Sequence, residues 1–326
     1  MTQSKKTIIK RILILSMIFP SLLIINGCSA SPANEAGDAP QTPEITDSEN
    51  VTAVESEEKE KIIKPDIAVP KGINSEPEYV QDFNPAGWSS GDWITSPDGL
   101  WDVSNWGPAT GDNYMWRSNF DIFASFLGDD GSGYISLKTT GSKNSPSEKL
   151  NGGEIFSPNF SVKETPWGYG YYECRMKVAD VGSPVTNTGV CSSFFIQSGD
   201  GLGFEVDFEF LTNGLIGPDY PKNDWVNTEN EGYVATVLHP GNHVQYINLG
   251  FNPSKDFHTY GILWLSDKIE WYVDGQRVRS ESGDFAYDGL HIAMNNWTGD
   301  ANWGGFPPED DAVTYYDFVK HYTVIN

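Results

Sequence analysis

The sequence predicts an all-β domain, a sandwich or barrel built from many short strands. From about Tyr79 to the C-terminus, short aromatic and β-branched runs alternate with turn residues, the pattern of half-buried strands. The 33 Gly and 20 Pro punctuate the chain too often for long helices. No stretch carries a helical apolar period, and many short strands with frequent turns make a sandwich or barrel.

The strands are read in order. Gly133–Lys138, Tyr169–Val178, Val190–Ile196, Phe204–Leu211, Tyr233–Leu238 and Phe257–Leu265 each alternate in polarity. Ile269–Val273 and Gln276–Arg279 flank Asp274-Gly275, a type I′ hairpin signal because both turn residues tolerate positive φ. Thr314–Val324 gives a last strand. Residues 212–232 are long and turn-rich, which predicts a surface excursion. There is no internal repeat.

Three regions are expected. Lys5, Lys6, Lys10 and Arg11 precede an apolar run over Ile12–Ile25 that is short for a membrane span, so residues 1–28 read as an export leader. They end in Ile25-Asn26-Gly27-Cys28, which resembles a bacterial lipobox with Cys28 as the lipidated residue. Residues 29–78 are rich in Pro, Ser, Thr, Ala and Glu, with the acidic run Glu55, Glu57, Glu58 and Glu60. They read as a disordered spacer. Residues 79–326 form the folded domain. The expected location is outside the cytoplasm, at the cell surface, tethered to the membrane by lipid. Cys174 and Cys191 read as buried free thiols; a disulfide between them is the alternative.

The formal charge of −24 argues against nucleic acid, whose binders need a basic footprint, and against polyanionic substrates. Trp, Tyr and Phe supply 13% of the residues, enough for a large core and for stacking on sugar faces. A neutral polymer is the expected partner, and a monomer the expected state.

The sharpest feature is Phe204-Glu205-Val206-Asp207-Phe208-Glu209-Phe210. Side chains on a strand alternate faces. Phe204, Val206, Phe208 and Phe210 therefore point into a core, and Glu205, Asp207 and Glu209 form a row on the other face. Like charges in a row raise at least one pKa. Retaining glycoside hydrolysis needs such a set: an ionised carboxylate to attack the anomeric carbon and a protonated one, roughly 5–5.5 Å away, to protonate the leaving oxygen. Glu205 and Glu209 would have Cα atoms about 13 Å apart on a flat strand, so a bent sheet is expected. Asp207 between them would orient the nucleophile and help keep Glu209 protonated. The alternative is an acidic solvent face.

The strand Glu205-Val206-Asp207-Phe208-Glu209 resembles the signature of glycoside hydrolase family 16. Tyr169–Lys177, Ser192-Ser193-Phe194-Phe195, Leu249–Asn252, Phe257–Tyr260, Trp271–Gly275 and Tyr316–Val319 match it in order. The resemblance runs from about Trp101 to the C-terminus and is greatest to the bacterial lichenases, which cut mixed-linkage β-1,3-1,4-glucan. As in them, the acidic strand lacks the bulge residue of the laminarinase branch. The resemblance implies a concanavalin-like β-jelly roll, two bent antiparallel sheets, with Glu205 as nucleophile and Glu209 as acid/base. It implies substrate contacts at Asn113, Glu154, Asn295 and Trp297. His239 is similar to a cleft histidine of other branches and also reads as a loop residue before Pro240-Gly241. Asp317 matches an aspartate that helps bind a structural calcium ion; no cofactor is implied for the chemistry.

Two positions depart from the lichenase pattern: Phe156 stands where an Arg is expected and Gly203 where a Trp is expected. Both bear on glucose units at the non-reducing side. A laminarinase, a xyloglucan hydrolase or transglycosylase of the same family, and an inactive surface glycan-binding lipoprotein are therefore the competing readings.

Overall fold

In a computed structural model, described for residues 69–325 apart from 85, 89–93, 104–119, 122–132, 140, 144–152, 157–167, 182–187, 199–202, 213–231, 242, 288–289 and 299–302, every regular element is a strand. In chain order they are β1 (Tyr79–Gln81), β2 (Ile94–Thr95), β3 (Asp102–Val103), β4 (Phe120–Asp121), β5 (Ile135–Thr139), β6 (Gly153–Phe156), β7 (Gly170–Lys177) and β8 (Cys191–Ser198). They continue as β9 (Glu205–Leu211), β10 (Tyr233–His239), β11 (Gln245–Asn248), β12 (His258–Trp264), β13 (Lys268–Val273), β14 (Gln276–Ser282), β15 (Leu290–Trp297) and β16 (Ala312–Thr323).

The strands form two antiparallel sheets. One runs β14-β13-β12-β7-β16-β5-β4, with β1 also on β16; the other runs β11-β10-β9-β8-β15-β6-β3-β2. The predicted sandwich is present, and β9 lies inside the second sheet between β8 and β10. The hairpin at Asp274-Gly275 has φ of 47° and 74°, the left-handed pair that a type I′ turn demands.

The core lies between the sheets. Phe204, Val206, Phe208 and Phe210 are fully buried in it, each worth about 1.5–3 kcal/mol as removed apolar surface. Phe208 and Phe210 pack on Tyr260 of the opposite sheet, with ring centroids 5.5 and 4.8 Å apart. Trp271 Nε1 crosses the same gap to donate to the Asp207 carbonyl at 3.0 Å.

A polar network ties the sheets beneath β8 and β15. The Tyr316 hydroxyl lies 3.0 Å from the carbonyls of both Ser193 and Asn295. Asn296 Nδ2 donates to the carbonyls of Leu137 and Ala312 at 2.9 and 3.0 Å. Ser192 and Thr314 share a hydroxyl hydrogen bond of 2.7 Å. Buried polar groups cost little when partnered in this way, so the strands carrying the polar outer row are held in a single register.

One sequence expectation shifts and another is met. The folded body starts earlier than Tyr79: Ile73 is buried and bridges Val324, and the Asn74 amide donates to the Thr323 carbonyl at 2.9 Å. Cys174 and Cys191 are both buried free thiols, as expected. They sit on β7 and β8, consecutive in the chain but in different sheets. The leader, Cys28 and residues 29–68 of the spacer lie outside the described residues, as does most of the predicted excursion.

Tyr316→Phe should lower stability by about 1–3 kcal/mol, since it strips a buried donor from two carbonyls. Urea denaturation checks this: the midpoint should fall with an unchanged slope.

Candidate active site

Alternation on β9 places Glu205, Asp207 and Glu209 on the face away from the core, as read from the sequence. Glu205 and Glu209 are partly exposed; Asp207 is only 1% exposed. The register of both neighbouring strands then fixes what flanks each acid. Glu205 lies opposite Gln197 of β8 and His239 of β10. Asp207 lies opposite Phe195 and Val237, and Glu209 opposite Ser193 and Ala235. Ser193 is in turn opposite Asn295 of β15, and Asn295 opposite Glu154 of β6. Neither pairing of β9 shows a register shift, so the strand is unbulged.

These rows create specific contacts. Gln197 Nε2 donates to Glu205 Oε2 at 2.7 Å. Ser193 Oγ donates to Asn295 Oδ1. Cys191 Sγ lies 3.7 Å from Glu209 Oε1, and Trp303 also hydrogen-bonds that carboxyl. Asp207 Oδ2 meets no hydrogen-bond donor among the described residues; His239 Nε2 is 3.9 Å away. A proton on Asp207 is held toward Glu205.

The crowding shifts three acids upward. Burial, then repulsion from Glu205, pushes Glu154 and Glu209 each to about 7. Burial, with Glu205 and Glu209 adding to it, drives Asp207 well above the usual carboxylate range. A low-dielectric site with several carboxyls favours keeping some of them neutral. The row can thus hold a proton near neutral pH next to a carboxylate, the pairing that general acid and nucleophile chemistry requires.

The structure brings Glu154, Glu205, Asp207, Glu209, His239 and Asn295 onto one face of one sheet. His239 ends β10 opposite Glu205, with its Nε2 3.9 Å from Asp207 Oδ2. Trp297 joins the face but is largely buried with Cys191 and Leu211, against Tyr246 and Trp303; its side chain hydrogen-bonds Cys191. Asn113 lies outside the described residues. Asp317 lies on the other sheet, at the register shift of β16 against β7, and pairs with Arg175. Among the described residues no group of three or more ligating side chains forms around Asp317. The Arg175 guanidinium is the charged partner of that carboxylate here.

Sequence reading missed Gln197 and Trp303, and it placed Cys191 as a buried free thiol, which it is, without its contact to Glu209. Counting by twos along β8 would have placed Cys191, Ser193, Phe195 and Gln197 on the acidic face.

The two-sheet antiparallel sandwich carries a row of crowded carboxyls on one outer face, the arrangement that glycoside hydrolysis uses. Residues 134–312 match the family of glycosyl hydrolases family 16, and the chain belongs to that family. It is 33% identical over 232 residues to the beta-glucanase of Bacillus amyloliquefaciens, covering 68% of this chain and 82% of that protein. It is 32% identical over 228 residues to the beta-glucanase of Acetivibrio thermocellus, covering 68% of this chain but only 58% of that protein's length. The solved Bacillus licheniformis beta-glucanase superposes with a TM-score of 0.53 at 26% identity, covering 76% of this chain and 99% of that one.

The raised acids carry a stability signature. Each keeps its proton in the native state after the unfolded chain has lost it, so native protein binds more protons between the ordinary value of 4.5 and about 7. Stability therefore falls as pH rises through that window. Melting temperature should decline from about pH 5 to pH 7, and Glu154→Gln or Glu209→Gln should flatten the slope. A slope in both variants unchanged from wild type would contradict the assignment.

Proposed function

We propose that the chain is a retaining endo-β-glucanase that cuts mixed-linkage β-1,3-1,4-glucan. The observation that carries this is the in-register row, with Glu205 held by Gln197 and Asp207, and Glu209 held by Cys191 and Trp303. Glu205 attacks the anomeric carbon while Glu209 protonates the departing glycosidic oxygen. The bond to the leaving sugar breaks as the bond from Glu205 to carbon forms, giving a covalent glycosyl-enzyme. Glu209, now ionised, takes a proton from water, which displaces Glu205 and restores the starting anomer. Asp207 supplies the proton that orients Glu205. No cofactor takes part.

Mixed-linkage substrate is supported by the unbulged acidic strand and by the relatives named beta-glucanase. One observation favours a different polymer. Gly203 is exposed at φ +73°, and among the described residues none lies within 4 Å of where a side chain there would begin. The wall that a Trp supplies in the lichenase pattern is open, which suits a bulkier or branched chain such as xyloglucan.

For Glu154, Asn295 and His239 we propose contacts to the sugar; for Cys28, lipidation that tethers a monomeric enzyme at the cell surface to the bacterial membrane through the spacer. Metabolic labelling with a fatty acid, with and without Cys28→Ala, tests the anchor.

Glu205→Ala should lose at least about 10³-fold in turnover, and azide should restore part of it with inversion at the anomeric carbon. Wild-type activity in this variant would exclude the nucleophile role. Glu209→Ala should lose about 10²–10⁴-fold on polymer but far less on aryl glycosides with good leaving groups. Reducing-end release on barley glucan, laminarin and xyloglucan decides the polymer; preference for either of the last two removes the mixed-linkage assignment.

A further inference from the structure

We propose that Gln197 is the positioning residue of the nucleophile: its side-chain amide holds one oxygen of Glu205 and leaves the other to face the anomeric carbon. The inference rests on the retaining reading above.

Gln197 stands directly opposite Glu205 across the β8–β9 ladder, and its Nε2 lies 2.7 Å from Glu205 Oε2. Among the described residues, other polar neighbours of Glu205 are titratable. Asp207 and Glu209 share its strand, Glu154 faces it from β6, and His239 faces it from β10. From β8 comes only this amide. Beyond Gln197 in the same row stands His291 of β15, which burial pushes down to about 4 and so keeps neutral.

A carboxylate gripped by one donor can still swing about its terminal torsion, which is broad for Glu. Two donors on different positions fix its plane. Here one is the Asp207 proton, from the same strand, and the other is the Gln197 amide, from the next. The amide is the one that keeps its donor through the whole pH range of catalysis. Its effect on the chemistry has a sign. An N–H to the carboxylate favours the ionised form over both the acid and the ester. Gln197 therefore steadies Glu205 as a carboxylate leaving group and assists its departure when water attacks the glycosyl-enzyme.

The test uses Gln197→Met, which keeps length without a donor, and Gln197→Glu, which keeps polar shape and adds like charge. The site is partly exposed, so both should fold; melting curves check this, and either variant alone suffices. The probe is a dinitrophenyl β-glycoside of a β-glucan disaccharide, whose leaving group needs little acid help. For Gln197→Met the acid limb of kcat/KM should move up by about 0.5–1 pH unit. kcat should fall about tenfold with KM changed less than twofold, and a burst of dinitrophenol should appear as the second step slows. For Gln197→Glu the limb should move further. Limbs that superimpose on wild type, or a loss confined to KM, overturn the proposal and make Gln197 a sugar contact or a structural residue. Wild type is also treated with a 2-deoxy-2-fluoro glycoside. A covalent adduct on Glu205 with unmoved limbs sinks this inference alone; absence of any adduct sinks the retaining reading with it.

Discussion

The repulsion among acids on one face of β9 is the constraint around which the rest of the domain is arranged. Three carboxyls on alternate residues would relax by slipping or flipping if the strand were free. A one-residue slip exchanges the faces of a strand. Here it would send Glu205, Asp207 and Glu209 into the core and expose Phe204, Val206, Phe208 and Phe210, all fully buried. Four buried apolar side chains at about 1.5–3 kcal/mol each exceed any repulsion that protonation can relieve. The strand therefore stays, and the charges adjust instead: Glu154, Asp207 and Glu209 all hold protons to higher pH than free carboxyls do.

The packing below the acids is correspondingly redundant. Trp271 reaches across to the Asp207 carbonyl, Tyr316 to carbonyls of β8 and β15, and Asn296 to carbonyls of β5 and β16. Trp271 and Tyr316 thereby fix the backbone of Asp207, Ser193 and Asn295, whose own side chains lie on the outer face, while Asn296 ties that sheet to β5 and β16. Ser192 and Asn296 point inward; their neighbours Ser193 and Asn295 point outward and meet each other. The inward polar layer thus sets the outward one.

Much of this was legible because alternation is a local property. The acidic row, the hairpin at Asp274-Gly275 and most long strands follow from residues two apart. What was not legible depends on partners distant in the chain. Leu290–Trp297 carries His291, Asn295 and Asn296 and does not read as a strand; it is one, because Asn296 finds carbonyls more than a dozen residues away or farther. The start of the folded body was placed late for the same reason: Ile73 has meaning only beside Val324. Gln197 looks like an ordinary strand residue until β8 is laid against β9. Asp317 matched a metal-binding position by sequence, but its pairing with Arg175 is a tertiary fact.

The proposed division of labour between two identical side chains follows from these unlike surroundings. Glu205 and Glu209 share a strand, a face and a sheet, so nothing intrinsic separates them. Glu205 receives a strong amide donor and the Asp207 proton, both of which favour a carboxylate. Glu209 receives a weak thiol donor and an indole, and it is pushed up to about 7 by burial and by Glu205 itself. Glu205 in turn adds to the upward push on Glu209, so the contacts from β8 and the repulsion along β9 act together. A pair of glutamates becomes a nucleophile and an acid through the residues opposite them, and this explains why β8, which carries no acid, matters as much as β9.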